Sequence, residues 1–251
     1  MFGKSFVSVG ALVSLVTTTS AQSAPGFPVS ASTPLTVVYG NNTVSPPGEL
    51  IPRGETAQPP RISPRTWAGD ENGARSAVLL MVDLDVPRNG TRVQLLHWLA
   101  TDVTRATANS SSESALLISS APVPYLQPSP PVGDVPHSYT FILFAQPANF
   151  SIPAQYAELA QNRVGFNTSQ FLKDAGVAES SALGANYIRV QNLTGTPTTT
   201  YPPARPTQSA AQNSSAPSAF PGAGQPLQVG GSALWAGLST ALLAGVAAVG
   251  L

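Results

Sequence analysis

Apolar residues gather into a few short, dense runs separated by Pro, Gly, Ser and Asn. "LTVVYG" (35–40) has strand composition and ends at a Gly-Asn turn signal. "SAVLLMVDLDV" (76–86), "VQLLHWLATDV" (93–103) and "SYTFILFAQ" (138–146) are rich in branched and aromatic residues and read as central strands of a sheet. The stretches between them, "RNGTR", "ANSSSES" and "YLQPSPPVGDVP", have the composition of turns and loops. No long amphipathic helix intervenes, so the spacing predicts a mainly β, antiparallel domain. One helix is expected late: in "FNTSQFLKDAG" (166–176), Asn167 or Thr168 can cap, Phe171 and Leu172 can face the core, and Gly176 can end it. "NYIRVQN" (186–192) reads as a closing strand.

The ends of the chain differ from this middle. Of the 251 residues, 42% are hydrophobic and 10% charged, against a usual charged share of about 25%. Residues 1–21 carry one basic residue, Lys4, then an apolar stretch too short to span a bilayer, then small residues, which is the layout of a secretory signal peptide. Residues 22–34 form an N-terminal segment and 35–194 the domain. Residues 195–232, nearly uncharged and rich in Pro, Thr, Ser, Ala and Gln, read as a disordered stalk. Residues 233–251 are apolar without a single charge, and the last charged residue of the chain is Arg205. The small residues ahead of that tail fit a GPI-attachment signal, at Gly222 or alternatively at Ala223, Gly224, Asn213 or Ser214. These signals predict passage through the secretory pathway and an extracellular, GPI-anchored place at a cell membrane or wall. Sequons at Asn41, Asn89, Asn109, Asn149, Asn167, Asn192 and Asn213 agree with secretion.

Composition also excludes. With no cysteine, disulfides, zinc-thiolate sites and thiol catalysis are absent. The chain holds 12 basic and 12 acidic side chains; without Lys4 the balance is 11 to 12, a net charge of −1, and no basic patch points to nucleic acid.

Candidate chemistry centres on a few residues. Alternation along a strand places Asp83 and Asp85 on one face, with Val82, Leu84 and Val86 on the other. Two close carboxylates repel and call for a cation or donor nearby. The chain has two histidines: His97 within an apolar strand and His137 just ahead of another. With the aspartates they can form a small polar pocket walled by Trp98, Tyr125 and Tyr139, the carboxylates fixing the imidazole tautomers. Two carboxylates and two imidazoles could also hold a metal. No G-x-S-x-G, H-E-x-x-H or P-loop pattern accompanies them, so neither an enzyme nor a metal or cofactor site is expected.

The order D-x-D-x-P (83–87), L-H-W (96–98) and "YLQPSPPVGDVPHSYTFILF" (125–144) resembles the phosphatidylethanolamine-binding protein family. "VVYGNNTVSPPGELIP" with "PPRISPRTW", and "FNTSQFLKDAGV…GANYIRVQ", extend the resemblance over roughly 35–194. It implies an antiparallel Greek-key β-sandwich with a few short helices, here in a secreted, GPI-anchored member of fungal type. It further implies a cavity for phosphate-like anions or phospholipid head groups. Asp83, Asp85, His97 and His137 would line that cavity, Tyr125, Pro131 and Gly133 would shape its mouth, and the Val86–Pro87 bond would be cis. This chain departs from the pattern in three places. Leu84 replaces a proline, the segment between Gly133 and His137 is longer than in the common G-x-H-R-Y, and Ser138 replaces the arginine. The Asn89 sequon also lies beside the motif.

Three functions follow as expectations. The first is a non-catalytic cell-surface module binding a small anion or head group. The second is an inhibitor of a secreted protease or carboxypeptidase acting through surface loops, with the segment "QSAPGFPVSAST" (22–33) as the stretch to delete. The third is a glycosylated wall protein with a vestigial pocket.

Overall fold

A computed structural model describes residues 22–67, 76–106 and 114–206. Its strands are β1 (Leu35–Tyr39), β2 (Asn42–Thr43), β3 (Glu49–Leu50), β4 (Arg61–Pro64), β5 (Ala77–Arg88), β6 (Thr91–Arg105), β7 (Leu116–Leu117), β8 (Ser120–Val123), β9 (His137–Ala145) and β10 (Ala182–Val190). They form a small sheet in the order β2-β1-β4 and a large one in the order β3-β10-β9-β5-β6-β7, with β8 also paired to β6. The predicted strands are all present. The expected all-antiparallel pairing needs one correction, because β3 runs parallel to β10 at the sheet edge.

The large sheet is buried on both faces, which is why its central strands are continuous apolar runs rather than alternating ones. On one face lies the small sheet: Leu35, Val37 and Ile62 pack against Leu79, Met81, Phe141 and Ile188. The opposite face carries Val78, Leu80, Val82, Ile142 and Phe144. It is covered by Phe27, Val29 and Ala31 of the N-terminal segment and by the helix α1 (Thr168–Asp174). That helix follows its sequence signals. Asn167 caps it by accepting from the Gln170 amide, Phe171 and Leu172 are buried, and the chain turns away at Gly176, whose φ is +67°.

β5 and β6 form a hairpin closed by Asn89-Gly90, both with positive φ, the pattern of a tight two-residue turn. Asn89 is exposed at its tip. The β5–β9 ladder ends at Asp83↔Tyr139, and the β5–β6 register slips between Met81 and Val82 and again between Asp83 and Val86. These irregularities lie where the polar residues cluster.

The terminal segments are parts of this fold. Residues 22–34 are not a free arm, since Ala24, Phe27, Val29 and Ala31 are buried. The disorder expected from 195 does not hold for residues 195–206, which are ordered. Pro197 lies against Gly133, the carbonyls of Pro202 and Pro203 accept from Arg92, and Arg205 reaches Asp85 and the Pro25 carbonyl. A Pro-rich composition suggested disorder, but a strap held by buried charge is ordered by its partners rather than by a core of its own. The signal-peptide, GPI and later stalk assignments, and Asn109, Asn213, Ser214, Gly222, Ala223 and Gly224, lie outside the described residues.

Phe27→Ala is therefore expected to lower the unfolding free energy by about 3 kcal/mol, as for a buried aromatic. Denaturant titration checks this, and an unchanged midpoint would return 22–34 to the status of a loose arm.

Candidate functional site

The irregular registers decide where the polar side chains point. Between Met81↔Trp98 and Val82↔Leu96 the β6 strand has one residue more than β5, so His97 is left over in a bulge beside Trp98. Such a bulge re-aims a side chain without breaking the sheet. Asp83 continues the face of Leu79 and Met81, and on β9 His137 and Tyr139 continue the face of Phe141. The four side chains therefore meet at the end of the intersheet layer. The His97 ring stands edge-on to Tyr139 at 5.0 Å between centroids, and the His137 ring stacks on Tyr139 at 6.4 Å.

His137 is held from both sides. Its Nδ1 is 2.8 Å from Asp83 Oδ2 and its Nε2 is 2.9 Å from Asp134 Oδ2, with both partners buried. A ring with a carboxylate on each nitrogen carries both protons. Burial would lower its pKa, but the charge and hydrogen bond of Asp83 and the hydrogen bond of Asp134 outweigh that and raise it. Burial alone would raise Asp134, but Arg92 and His137 hold it below the ordinary carboxylate value. His97 goes the other way. Burial lowers its pKa against the pull of Asp83, and its Nδ1 donates to the Leu126 carbonyl at 2.8 Å. The neutral ring thus keeps its proton on Nδ1 and a lone pair on Nε2, 3.9 Å from Asp83 Oδ2.

Behind His137 lies a second row of charges. Arg92 uses all five N–H groups: on both oxygens of Asp134, with a shorter contact of 2.7 Å, and on the carbonyls of Asp85, Pro202 and Pro203. Its side chain is only 3% exposed, a case in which arginine's rigid fork matters. Asp85 accepts the Ser138 amide at 2.7 Å, in place of the strand ladder that has just ended, and the Arg205 Nε at 2.7 Å. Arg205 so brings a guanidinium to the residue beside Ser138, the position where the resembling pattern has arginine.

The cavity in front of this network encloses about 280 Å³. Asp83, His97, His137, Tyr139, Pro87 and Pro131 are among the residues around it. Of the expected site residues, Asp83, His97, His137 and Pro131 are brought together. Asp85 is not on the cavity wall, because the register slip after Asp83 turns it to Ser138 and Arg205. Tyr125 belongs to the intersheet core, edge-on to Trp98, with its hydroxyl donating to the Thr56 carbonyl and sharing a hydrogen bond with Tyr39. Gly133, at φ +77°, makes room for Pro197 rather than for a ligand, since a Cβ there would run into that ring. The Val86–Pro87 bond is trans, β5 running through Pro87 in register with Arg92; among the described residues the cis bond is Ser45–Pro46. No group of three or more His, Asp or Glu among the described residues is placed to hold a metal ion. Arg92, Asp134 and Arg205 carry the site and were not singled out in the sequence. The one signal available was that Asp134 lies in the lengthened segment before His137.

The phosphatidylethanolamine-binding protein family profile matches residues 41–206, the span that ends just past Arg205. The chain is 31% identical over 185 residues to phomoidride biosynthesis cluster protein N of Talaromyces stipitatus, covering 68% of this chain and 92% of that one. It is 32% identical over 148 residues to Protein FLOWERING LOCUS T of Arabidopsis thaliana, covering 57% and 73%. Among solved structures, a carboxypeptidase Y inhibitor in complex with its cognate proteinase superposes with a TM-score of 0.50 at 17% identity, over 65% of this chain and 85% of that one, a likeness of fold.

Two outcomes follow from the network. Arg92→Ala removes from buried Asp134 the guanidinium that holds both its oxygens and is expected to cost about 3–5 kcal/mol of stability, with Arg92→Lys recovering only part; a loss below about 1 kcal/mol would place the pair among ordinary surface bridges. The raised pKa of His137 means that its contribution is fully present below the unfolded imidazole value of about 6.5 and is lost as pH rises through the folded value. Unfolding free energy should therefore fall on the alkaline side of neutrality in the wild type and not in His137→Gln; a flat wild-type profile there would contradict the two-carboxylate clamp.

Proposed function

Because the chain belongs to the phosphatidylethanolamine-binding protein family, we propose that it acts as a non-catalytic binding module whose cavity takes a small polar ligand, in the class of phosphate-like anions and phospholipid head groups. The observation that carries this reading is the cavity itself, a pocket of about 280 Å³ with Asp83, His97, His137 and Tyr139 at its polar end. Four buried polar residues from three strands, converging on one cavity and tied into a second row of charges, resemble a pre-organised site. None is paired as a nucleophile with an adjacent free base. His137 has no nitrogen left to take a proton, and no Ser or Thr hydroxyl among the described residues bonds His97.

The alternative, an inhibitor of a secreted protease acting through surface loops, draws on the inhibitor with a similar fold. Its expected instrument, the segment 22–33, is packed against the large sheet, which favours the cavity reading. We further propose that the protein is secreted, glycosylated and GPI-anchored. Asn41, Asn89, Asn149 and Asn167 are exposed and suited to carry glycans, whereas the Asn192 amide donates to the Pro130 carbonyl.

Isothermal titration with phosphoethanolamine should give saturable heat with the wild type and at least a tenfold weaker response, about one lost charged hydrogen bond, with His97→Ala. Absence of binding by the wild type would remove the cavity from the account. Phosphatidylinositol-specific phospholipase should release the protein from membranes; retention after treatment would contradict the anchor.

A further inference from the structure

The secretory reading has a chemical consequence at the start of the domain. Removal of residues 1–21 leaves Gln22 as the first residue of the mature chain. Glutamine is special at such an end, because its side-chain amide carbon lies within reach of its own α-nitrogen and closes on it as a lactam. Whether the fold gains from that closure depends on where the end sits.

Here it sits against the fold. The Gln22 backbone nitrogen donates to the Ala31 carbonyl at 2.9 Å, which draws 22–31 into a closed loop. Within the loop the Phe27 amide donates to the Ala24 carbonyl, and the Ala24 amide donates to the Thr140 hydroxyl of β9. Gln22 is half-buried, and Ser23 and Ala24 directly after it are only 4% and 2% exposed. A free α-amine is an ammonium near neutrality. At Gln22 it would bring a charge to a half-buried position in a segment, 22–34, that has no Asp or Glu. Arg205, docked on the Pro25 carbonyl, brings like charge to the same segment rather than relief. A lactam nitrogen is neutral and retains one N–H for the Ala31 carbonyl.

We propose that Gln22 is a modification site, cyclised to pyroglutamate with its ring N–H on the Ala31 carbonyl. The α-nitrogen attacks the side-chain carbonyl carbon. The N–Cδ bond forms as the Cδ–Nε2 bond breaks, and Nε2 leaves as ammonia with a proton from the amine; nothing is oxidised or reduced. The ring seals the chain end, since aminopeptidases grip a free α-amine and none remains. Trimming from an open end would proceed toward Phe27, which covers one face of the large sheet. A secreted protein meets such peptidases, so the docked ring preserves the cover on which that face relies.

The inference rests on the proposal of secretion, and its test separates the two. The full-length protein is expressed in a secreting eukaryotic host, and the free amines of the recovered protein are dimethylated before digestion. A dimethylated amine no longer cyclises, so ring closure during handling is excluded. The chymotryptic peptide 22–35 should begin at an unlabelled Gln22 and be lighter than its sequence by one ammonia. A dimethylated Gln22 would overturn the cyclisation and leave the secretory cut standing. A chain beginning at any other residue would overturn the cut itself, and the cyclisation with it. Docking is read with pyroglutamyl peptidase, which should release the ring from the isolated peptide and at least about tenfold more slowly from the folded protein. Equal rates would overturn the docked end. Gln22→Ser, secreted in the same way, should carry the label and lose residues to an aminopeptidase that leaves the wild type intact; equal trimming of the two would overturn the seal.

Discussion

The histidine clamped between two carboxylates is the interaction on which the rest of the site depends. His137 holds Asp83 and Asp134 apart and neutralises part of their charge. Without it, two buried carboxylates would face each other with Arg92 as the cation on one of them and backbone amides as the other donors. The partners of this clamp are in turn held by others. Asp134 is fixed by Arg92, Arg92 by the carbonyls of the C-terminal strap, and the strap by Arg205 on Asp85 and Pro25. One polar chain thus ties the N-terminal segment, the β5–β6 hairpin, the segment before β9 and the residues after β10 to a single point.

That arrangement accounts for a serine, rather than a cation, beside His137. The requirement is electrostatic: Asp85, buried in β5 just past the end of its ladder with β9, needs a cation. Ser138 cannot supply one, and its backbone amide supplies only one hydrogen bond. Arg205, far along the chain, brings the guanidinium instead. Arg92 and Arg205 stand behind the wall, engaged with Asp134 and Asp85, and neither is among the residues around the cavity.

Much of the fold was legible because burial on both faces leaves a plain mark. The runs 76–86, 93–103 and 138–146 are apolar throughout, and the capped helix near 167–176 announces itself through Asn167, Phe171, Leu172 and Gly176. Asp83, His97 and His137 were legible as polar residues out of place in such runs. Asp85 was misplaced because alternation holds only while register holds, and the slip after Asp83 breaks it. Tyr125 was misplaced because a long ring near a loop can turn into the core as readily as toward a cavity. Arg92, Asp134 and Arg205 were invisible because an ion pair between residues 42 apart, or 120 apart, leaves no periodic trace. The strap was hidden by its own composition, since proline-rich sequence signals disorder even where two arginines fasten it.

The protonation of His137 tests the account most directly. Nitrogen-15 NMR of the imidazole at pH 7.5 should show both ring nitrogens protonated in His137, beside a neutral His97 with its proton on Nδ1. A His137 ring with one bare nitrogen at that pH would contradict the clamp.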